Sequence, residues 1–237
     1  MKTPTKMRKK LHLIPGTMCN EKLWAELIPY FHRSIELVYL DIPRGKNFDE
    51  LAEYYSGILG SDKVNLIGFS LGGYIATYFS MMYPQRIEKL FVIANSPTRL
   101  PEEELNQRND ILKFVKTYGY KGISRNMVVN LLDITNQIER FIEIVLNMDR
   151  ALGEDEFISQ YQYTSAREDL SQTISQFPFH THFYYSDNDR LVSSQWFNEL
   201  KGSSPKLSII STPGSGHMLP LEKPEELADH INSWLEL

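Results

Sequence analysis

Several things are scarce in this sequence of 237 residues. Cysteine occurs once, at Cys19, which excludes an intramolecular disulfide and points to a reducing compartment. Positive charge is not in excess: 25 Lys and Arg stand against 30 Asp and Glu, a formal net charge of -5. A general nucleic-acid binder would carry a basic face, so nucleic acid is not expected as a partner. Long apolar runs are missing as well. The start of the chain is basic (Lys2, Lys6, Arg8, Lys9, Lys10), but the apolar run behind it, Leu11 to Ile14, contains His12 and stops at Pro15-Gly16. A secretory signal needs more, and a membrane span takes about 20 residues. Cytoplasmic residence without a membrane partner is the expectation. The histidines are scattered and no G-x-G-x-x-G follows a strand, so neither a metal nor a phosphate-bearing cofactor is implied.

What is present is the mixture of an ordinary globular protein, 42% hydrophobic, 23% charged and 12% aromatic. The length suits one large domain with a small insertion. Short apolar runs alternate with longer amphipathic stretches, the pattern of a mostly parallel sheet flanked by helices. Strands are expected at Leu11–Ile14, Ile35–Leu40, Val64–Phe69, Leu90–Ala94, His182–Tyr185 and Leu207–Ile210. Helices are expected at Glu21–Phe31, Phe48–Leu59, after Ser70 through Tyr83, at Ser193–Leu200 and from Glu225 onward. Between Pro97 and about Gln176 every apolar spacing is helical. Residues 1–96 and 177–237 therefore form an α/β body, and 97–176 a helical insertion.

The chemistry concentrates in Gly68-Phe69-Ser70-Leu71-Gly72, a G-x-S-x-G between a strand and a helix. A nucleophile on so sharp a turn needs neighbours without bulk, and its hydroxyl then stands at the positive end of the helix. A serine hydroxyl is a weak nucleophile and needs a base oriented by an acid. Gly214-Ser215-Gly216-His217 follows a strand, and its small residues let the imidazole of His217 turn toward a neighbouring loop. The other five histidines lack that setting. Two acids, Asp187 and Asp189, follow the strand that ends near Tyr185. Cys19 has neither a G-x-C-x-G setting nor an adjacent base, so it reads as a structural thiol. The acidic runs Glu102-Glu103-Glu104 and Glu154-Asp155-Glu156 read as solvated helix ends.

On these motifs the chain resembles the α/β-hydrolases over nearly all its length. The resemblance implies an α/β-hydrolase fold with a lid formed by residues 97–176. Its G-x-x-D-x-x-V pattern matches Ser186-Asp187-Asn188-Asp189 to Val192, which singles out Asp189 as the acid and completes the chain order Ser70, Asp189, His217. It also implies two oxyanion donors, the backbone N–H groups of Leu71 and Thr17. Pro15 departs from the His-Gly pattern there, and Asp41-Ile42-Pro43-Arg44-Gly45 departs from D-x-P-G-x-G. Met127, Val128, Leu131, Leu132, Phe141, Val145, Leu146, Tyr161 and Tyr163 are candidates to line an apolar acyl pocket, at least half of them packing the lid instead.

Gly-Tyr-Ile-Ala at 73–76, Arg-Ile-Glu-Lys-Leu at 86–90 and Ala-Arg-Glu-Asp-Leu at 166–170 are most similar to small lidded carboxylesterases, among them the pimeloyl-carrier-protein methyl esterases. The implied activity is hydrolysis of a carboxylic ester, thioester or lactone through an acyl-enzyme, with a small-molecule substrate, no cofactor and no metal. An acyl carrier protein as partner finds no support in the charge: residues 97–170 hold 9 Lys and Arg against 13 Asp and Glu. Two alternatives stand beside this reading. One is a lyase of the menaquinone-pathway type that eliminates pyruvate, against which Tyr74 stands where an arginine would be expected. The other is a non-hydrolytic receptor on the same scaffold.

Overall fold

Parallel strands cannot be joined by tight turns, so each needs a crossover. In the computed structural model, which describes residues 9–236, the first half of the chain supplies them in sequence. Lys2, Lys6 and Arg8 lie outside the described residues. The order runs β1 (Lys9–Ile14), β2 (Ile35–Tyr39), α1 (Phe48–Ile58), β3 (Val64–Phe69), α2 (Leu71–Met82) and β4 (Ile87–Ile93). Helices alone follow: α3 (Glu102–Tyr118), α4 (Arg125–Val129), α5 (Glu139–Tyr163) and α6 (Ser171–Ile174). The alternation then resumes with β5 (His180–Ser186), α7 (Ser194–Leu200), β6 (Leu207–Thr212), α8 (Leu219–Glu222) and α9 (Pro224–Glu236).

The strands form one parallel sheet in the order β2-β1-β3-β4-β5-β6. Successive side chains in a strand point to opposite faces, and here both faces are apolar, as a sheet covered on both sides requires. Leu66, Leu90 and Val92 pack with Leu51, Tyr55 and Phe79 of α1 and α2. Ile67, Phe69, Phe91 and Ile93 pack on the other side with Trp24, Ile231 and Trp234. After β1 the chain moves outward to β2, whereas after β3 it moves the opposite way to β4. The loops leaving β1 and β3 therefore diverge, and a crevice opens at their carboxyl ends, the topological switch point where α/β sheets bind ligands.

The expected helix at Glu21–Phe31 is not formed. The segment instead makes two short 3-10 turns, Glu21–Trp24 and Ile28–Tyr30. Pro29 has no N–H to give an α-helix and crowds the residue before it, yet Leu23, Trp24 and Leu27 are buried all the same. Strands β4 and β5 begin earlier than their apolar runs suggest, because Glu88, Lys89 and His180 occupy their first turns of pleat. Within the expected helical insertion, α5 runs unbroken from Glu139 to Tyr163 except at Gly153, where φ is 73°. Among the described residues no helix is long and apolar enough to cross a membrane.

Candidate active site

The turn from β3 into α2 is made at one residue. Ser70 has φ 50° and ψ -118°, a conformation costly for any side chain with a Cβ. Its backbone is held from both sides: the N–H donates to the Ile93 carbonyl at 2.9 Å, and its own carbonyl accepts from Gly73 at 2.8 Å. The glycines of the motif answer close approaches. A methyl group on Gly68 would stand 2.2 Å from the Gly72 carbonyl oxygen, and one on Gly72 would stand 2.3 Å from the carbonyl oxygens of Ile14 and Pro15. The spacing G-x-S-x-G is thus a packing requirement, and it leaves Ser70 partly exposed at the head of the 12-residue α2.

The structure brings Asp189 and His217 to this serine. His217 Nε2 lies 3.0 Å from Ser70 Oγ, and His217 Nδ1 lies 2.7 Å from Asp189 Oδ2. The other carboxylate oxygen of Asp189 accepts from the Leu191 N–H at 3.0 Å. Both residues are 5% exposed, while Asp187 faces solvent. The Phe69 ring sits 5.2 Å from the imidazole and limits its swing. By contrast, His12 and His182 are buried in the sheet, and burial pulls the His182 pKa down to about 4.

The loop after β1 runs beside Ser70. A methyl group on Gly16 would stand 3.2 Å from Ser70 Cβ and 2.8 Å from the Phe69 ring. Gly16 to Cys19 close a turn, with the Cys19 N–H donating to the Gly16 carbonyl at 3.1 Å. Among the described residues, neither the Thr17 nor the Leu71 N–H donates to a protein acceptor. Cys19 is buried and its thiol is pushed up to about 12, chiefly by desolvation, so it is no nucleophile.

Around these residues stands a second ring that sequence reasoning missed. On one side, the His217 N–H donates to the Leu131 carbonyl at 2.8 Å. The Glu222 carboxylate accepts from the N–H groups of Met218 at 3.0 Å and Asp133 at 2.7 Å, and Asp133 in turn accepts from the Ser215 N–H at 2.7 Å. Burial pushes Glu222 up to about 7. Hydrogen bonds from Thr135 and Ser215 hold Asp133 well below the usual carboxylate range. On the other side, the Gln160 side chain accepts from the Met18 N–H at 2.9 Å. The expectation that Glu154-Asp155-Glu156 is a solvated helix end fails at Glu156, which is 6% exposed and bonded to Gln160 and Arg44. Of the proposed pocket residues, Val128, Leu131, Leu132, Phe141, Val145 and Leu146 pack into the core beneath the helices, whereas Met127 and Tyr163 are exposed. Among the described residues no cluster of His, Cys, Asp and Glu is gathered as metal ligands would be.

The profile of the α/β-hydrolase fold matches residues 47–131. The biotin biosynthesis bifunctional protein BioHC of Teredinibacter turnerae is 21% identical over 98% of this chain and 45% of its own length. A pimeloyl-[acyl-carrier protein] methyl ester esterase of Edwardsiella ictaluri is 29% identical over 62% of this chain and 54% of its own. The chain thus spans about half the length of these curated relatives. A thermophilic esterase from Thermogutta terrifontis superposes with a TM-score of 0.84 at 19% identity, covering 98% of this chain and 91% of that one, a likeness of fold. By its fold and its relatives, this chain has the α/β-hydrolase fold and resembles esterases.

Proposed function

We propose that the protein is a serine hydrolase of small carboxylic esters acting through an acyl-enzyme. The observation that carries this reading is the unbroken line of hydrogen bonds from Asp189 through His217 to Ser70. Ser70 Oγ attacks the ester carbonyl while His217 Nε2 takes its proton. Asp189 keeps the Nδ1–H of His217 directed inward and stabilises the imidazolium as it forms. The carbonyl oxygen becomes an oxyanion and receives the Leu71 and Thr17 N–H groups, the kind of preorganised electrostatics that often provides the largest single share of rate enhancement. His217 then passes its proton to the departing alcohol. Water, activated by the same imidazole, hydrolyses the acyl-enzyme and restores the serine. Every step uses groups of the chain itself, and thioesters and lactones are open to the same attack.

Residues 97–176 act in this scheme as a lid that screens the intermediate from bulk water. The net charge of -4 between residues 97 and 170 favours a free small ester over a substrate carried on an acidic protein. A lone buried thiol accords with a cytoplasmic setting. Turnover of p-nitrophenyl butyrate, with Ser70→Ala lowering kcat on the order of 10⁴-fold or more, is the expected outcome. Equal turnover by Ser70→Ala, or no Ser70 labelling by a fluorophosphonate, would overturn the reading.

A further inference from the structure

The loop that carries Thr17 is strained and brings little of its own to hold it. Within the turn from Gly16 to Cys19, Met18 occupies the third place with φ 53°. A type II turn reserves that place for glycine, because positive φ crowds a Cβ. Strain of this kind survives only where the surroundings over-determine it. Pro15 offers the loop no N–H donor.

The restraint comes from a residue 142 positions away. Gln160, 3% exposed on α5, accepts the Met18 N–H on its Oε1 at 2.9 Å. Its Nε2 donates to Glu156 Oε1 at 2.7 Å, so the amide is fixed in one orientation. The second oxygen of Glu156 accepts from Arg44 Nε at 2.9 Å. Arg44 is also tied to Asp155 at 3.2 Å and to the Leu152 carbonyl at 3.3 Å, while the Gly45 N–H donates to Ser159 Oγ at 2.8 Å. The Met18 side chain packs with Val115 and Phe157 of the same helical segment.

We infer that Gln160 is a positioning residue for the oxyanion-binding loop, itself oriented by the Glu156–Arg44 pair. The inference rests on the proposed serine-hydrolase reading, in which the Thr17 N–H meets the oxyanion. Because Gln160 occupies the Met18 N–H, it fixes the peptide plane that follows Thr17 and leaves the Thr17 N–H as the free donor of the turn. The lid segment is then part of the oxyanion device as well as a cover. Gln160 touches no reacting atom.

The test compares wild type, Ser70→Ala, Gln160→Met, Met18→Gly and Met18→Gly/Gln160→Met on p-nitrophenyl butyrate, with affinity for butylboronic acid as a second reading. Methionine keeps the volume of glutamine and removes both hydrogen bonds. Displacing one donor by a fraction of an ångström should lower kcat by about 10- to 100-fold with KM nearly unchanged. Boronate affinity should fall in parallel, since its tetrahedral adduct uses the same donors. Glycine at 18 adopts positive φ without strain, so the Gln160→Met loss should shrink several-fold in the Met18→Gly background. A Gln160→Met enzyme that is folded by circular dichroism and retains wild-type kcat and boronate affinity would overturn the proposal while leaving Ser70-dependent turnover standing. A wild type with no Ser70-dependent turnover would overturn both readings at once.

Discussion

Two loops flank Ser70, and the helical segment between β4 and β5 grips both, by different chemistry. The His217 loop is held through carboxylates: Asp133 of that segment accepts from the Ser215 N–H, while Glu222 of α8 accepts from the N–H groups of both Met218 beside His217 and Asp133 of the segment. The Met18 loop is held by an amide, Gln160, with its carboxylate partner one step removed. A carboxylate makes shorter and stronger hydrogen bonds than an amide but carries a charge that burial opposes. The first loop is therefore firmly held and sensitive to pH, and the second is not titrated at the point of contact. The difference follows the work that the proposed mechanism assigns to each loop. A base that becomes an imidazolium gains from anions nearby, whereas a backbone donor awaiting an oxyanion would be weakened by one beside it.

The strongest test of this contrast is to disturb the orientation of the imidazole itself. Asp189→Asn should lower kcat toward esters by roughly 10³- to 10⁴-fold, because an amide supports the wrong tautomer and no longer stabilises the imidazolium. Asp187→Asn, at an exposed position, should change kcat by less than about twofold. Steady-state kinetics of the two purified variants, side by side, decide the matter. Comparable losses would mean that the anionic side of the comparison is drawn around the wrong residue.

How far the sequence reveals this arrangement depends on how local each signal is. The elbow is legible because Gly68, Ser70 and Gly72 answer contacts made within a few residues or across one strand. His217 sits in a short motif after a strand, so pattern and motif carry it together, whereas the strand before Asp187 and Asp189 leaves both acids open and only the family resemblance singles out Asp189. Glu222 and Gln160 have no such signature. The partner of Gln160 is 142 positions away and is a backbone N–H, which leaves no trace in the partner's residue type. Glu156 and Gln160 are four apart and so share a helix face, but nothing in their spacing says that the face is buried. At Glu21–Phe31 the helical period places Leu23, Trp24 and Leu27 in the core correctly and misnames the backbone, because burial follows the apolar spacing while Pro29 governs the hydrogen bonds.

A second test bears on the pH sensitivity of the carboxylate side. Glu222 faces Asp133, which raises its pKa further, and His217, which lowers it. The net result, dominated by burial, is a rise from the ordinary 4.5 to about 7. The folded protein then binds this proton more tightly than the unfolded chain does. That contribution to stability is complete below about pH 4.5 and is lost as pH rises through about 7. Glu222→Gln cannot titrate, and its amide offers one acceptor oxygen between two N–H groups. It should be less stable than wild type by about 1–2 kcal/mol at pH 4.5, and the gap should narrow as pH approaches 8. Thermal melts of the two proteins from pH 4.5 to 8 measure it. Parallel curves would show that Glu222 keeps its ordinary pKa and that the two loops do not differ in this respect.

The smallest expected effect probes the other loop without touching its anchors. Cys19 closes the turn that contains Thr17, and its thiol, pushed up to about 12 by burial, is almost wholly protonated at pH 8. Only the thiolate reacts, so iodoacetamide should label Cys19 more slowly in the folded protein than in the chain unfolded by urea. Labelling that does occur must pass through an opened loop, which makes Cys19 a reporter on the Met18 turn. Gln160→Met should therefore raise the labelling rate several-fold, because the turn loses the bond that restrains Met18. Glu222→Gln should leave the rate close to wild type, since its bonds hold the opposite loop. A rate that rises equally in both variants would mean that the helical segment moves as one body and that the two grips are a single clamp. Unequal rates would mean that each loop opens on its own, so the donor side of the crevice can be loosened while the imidazole stays in place.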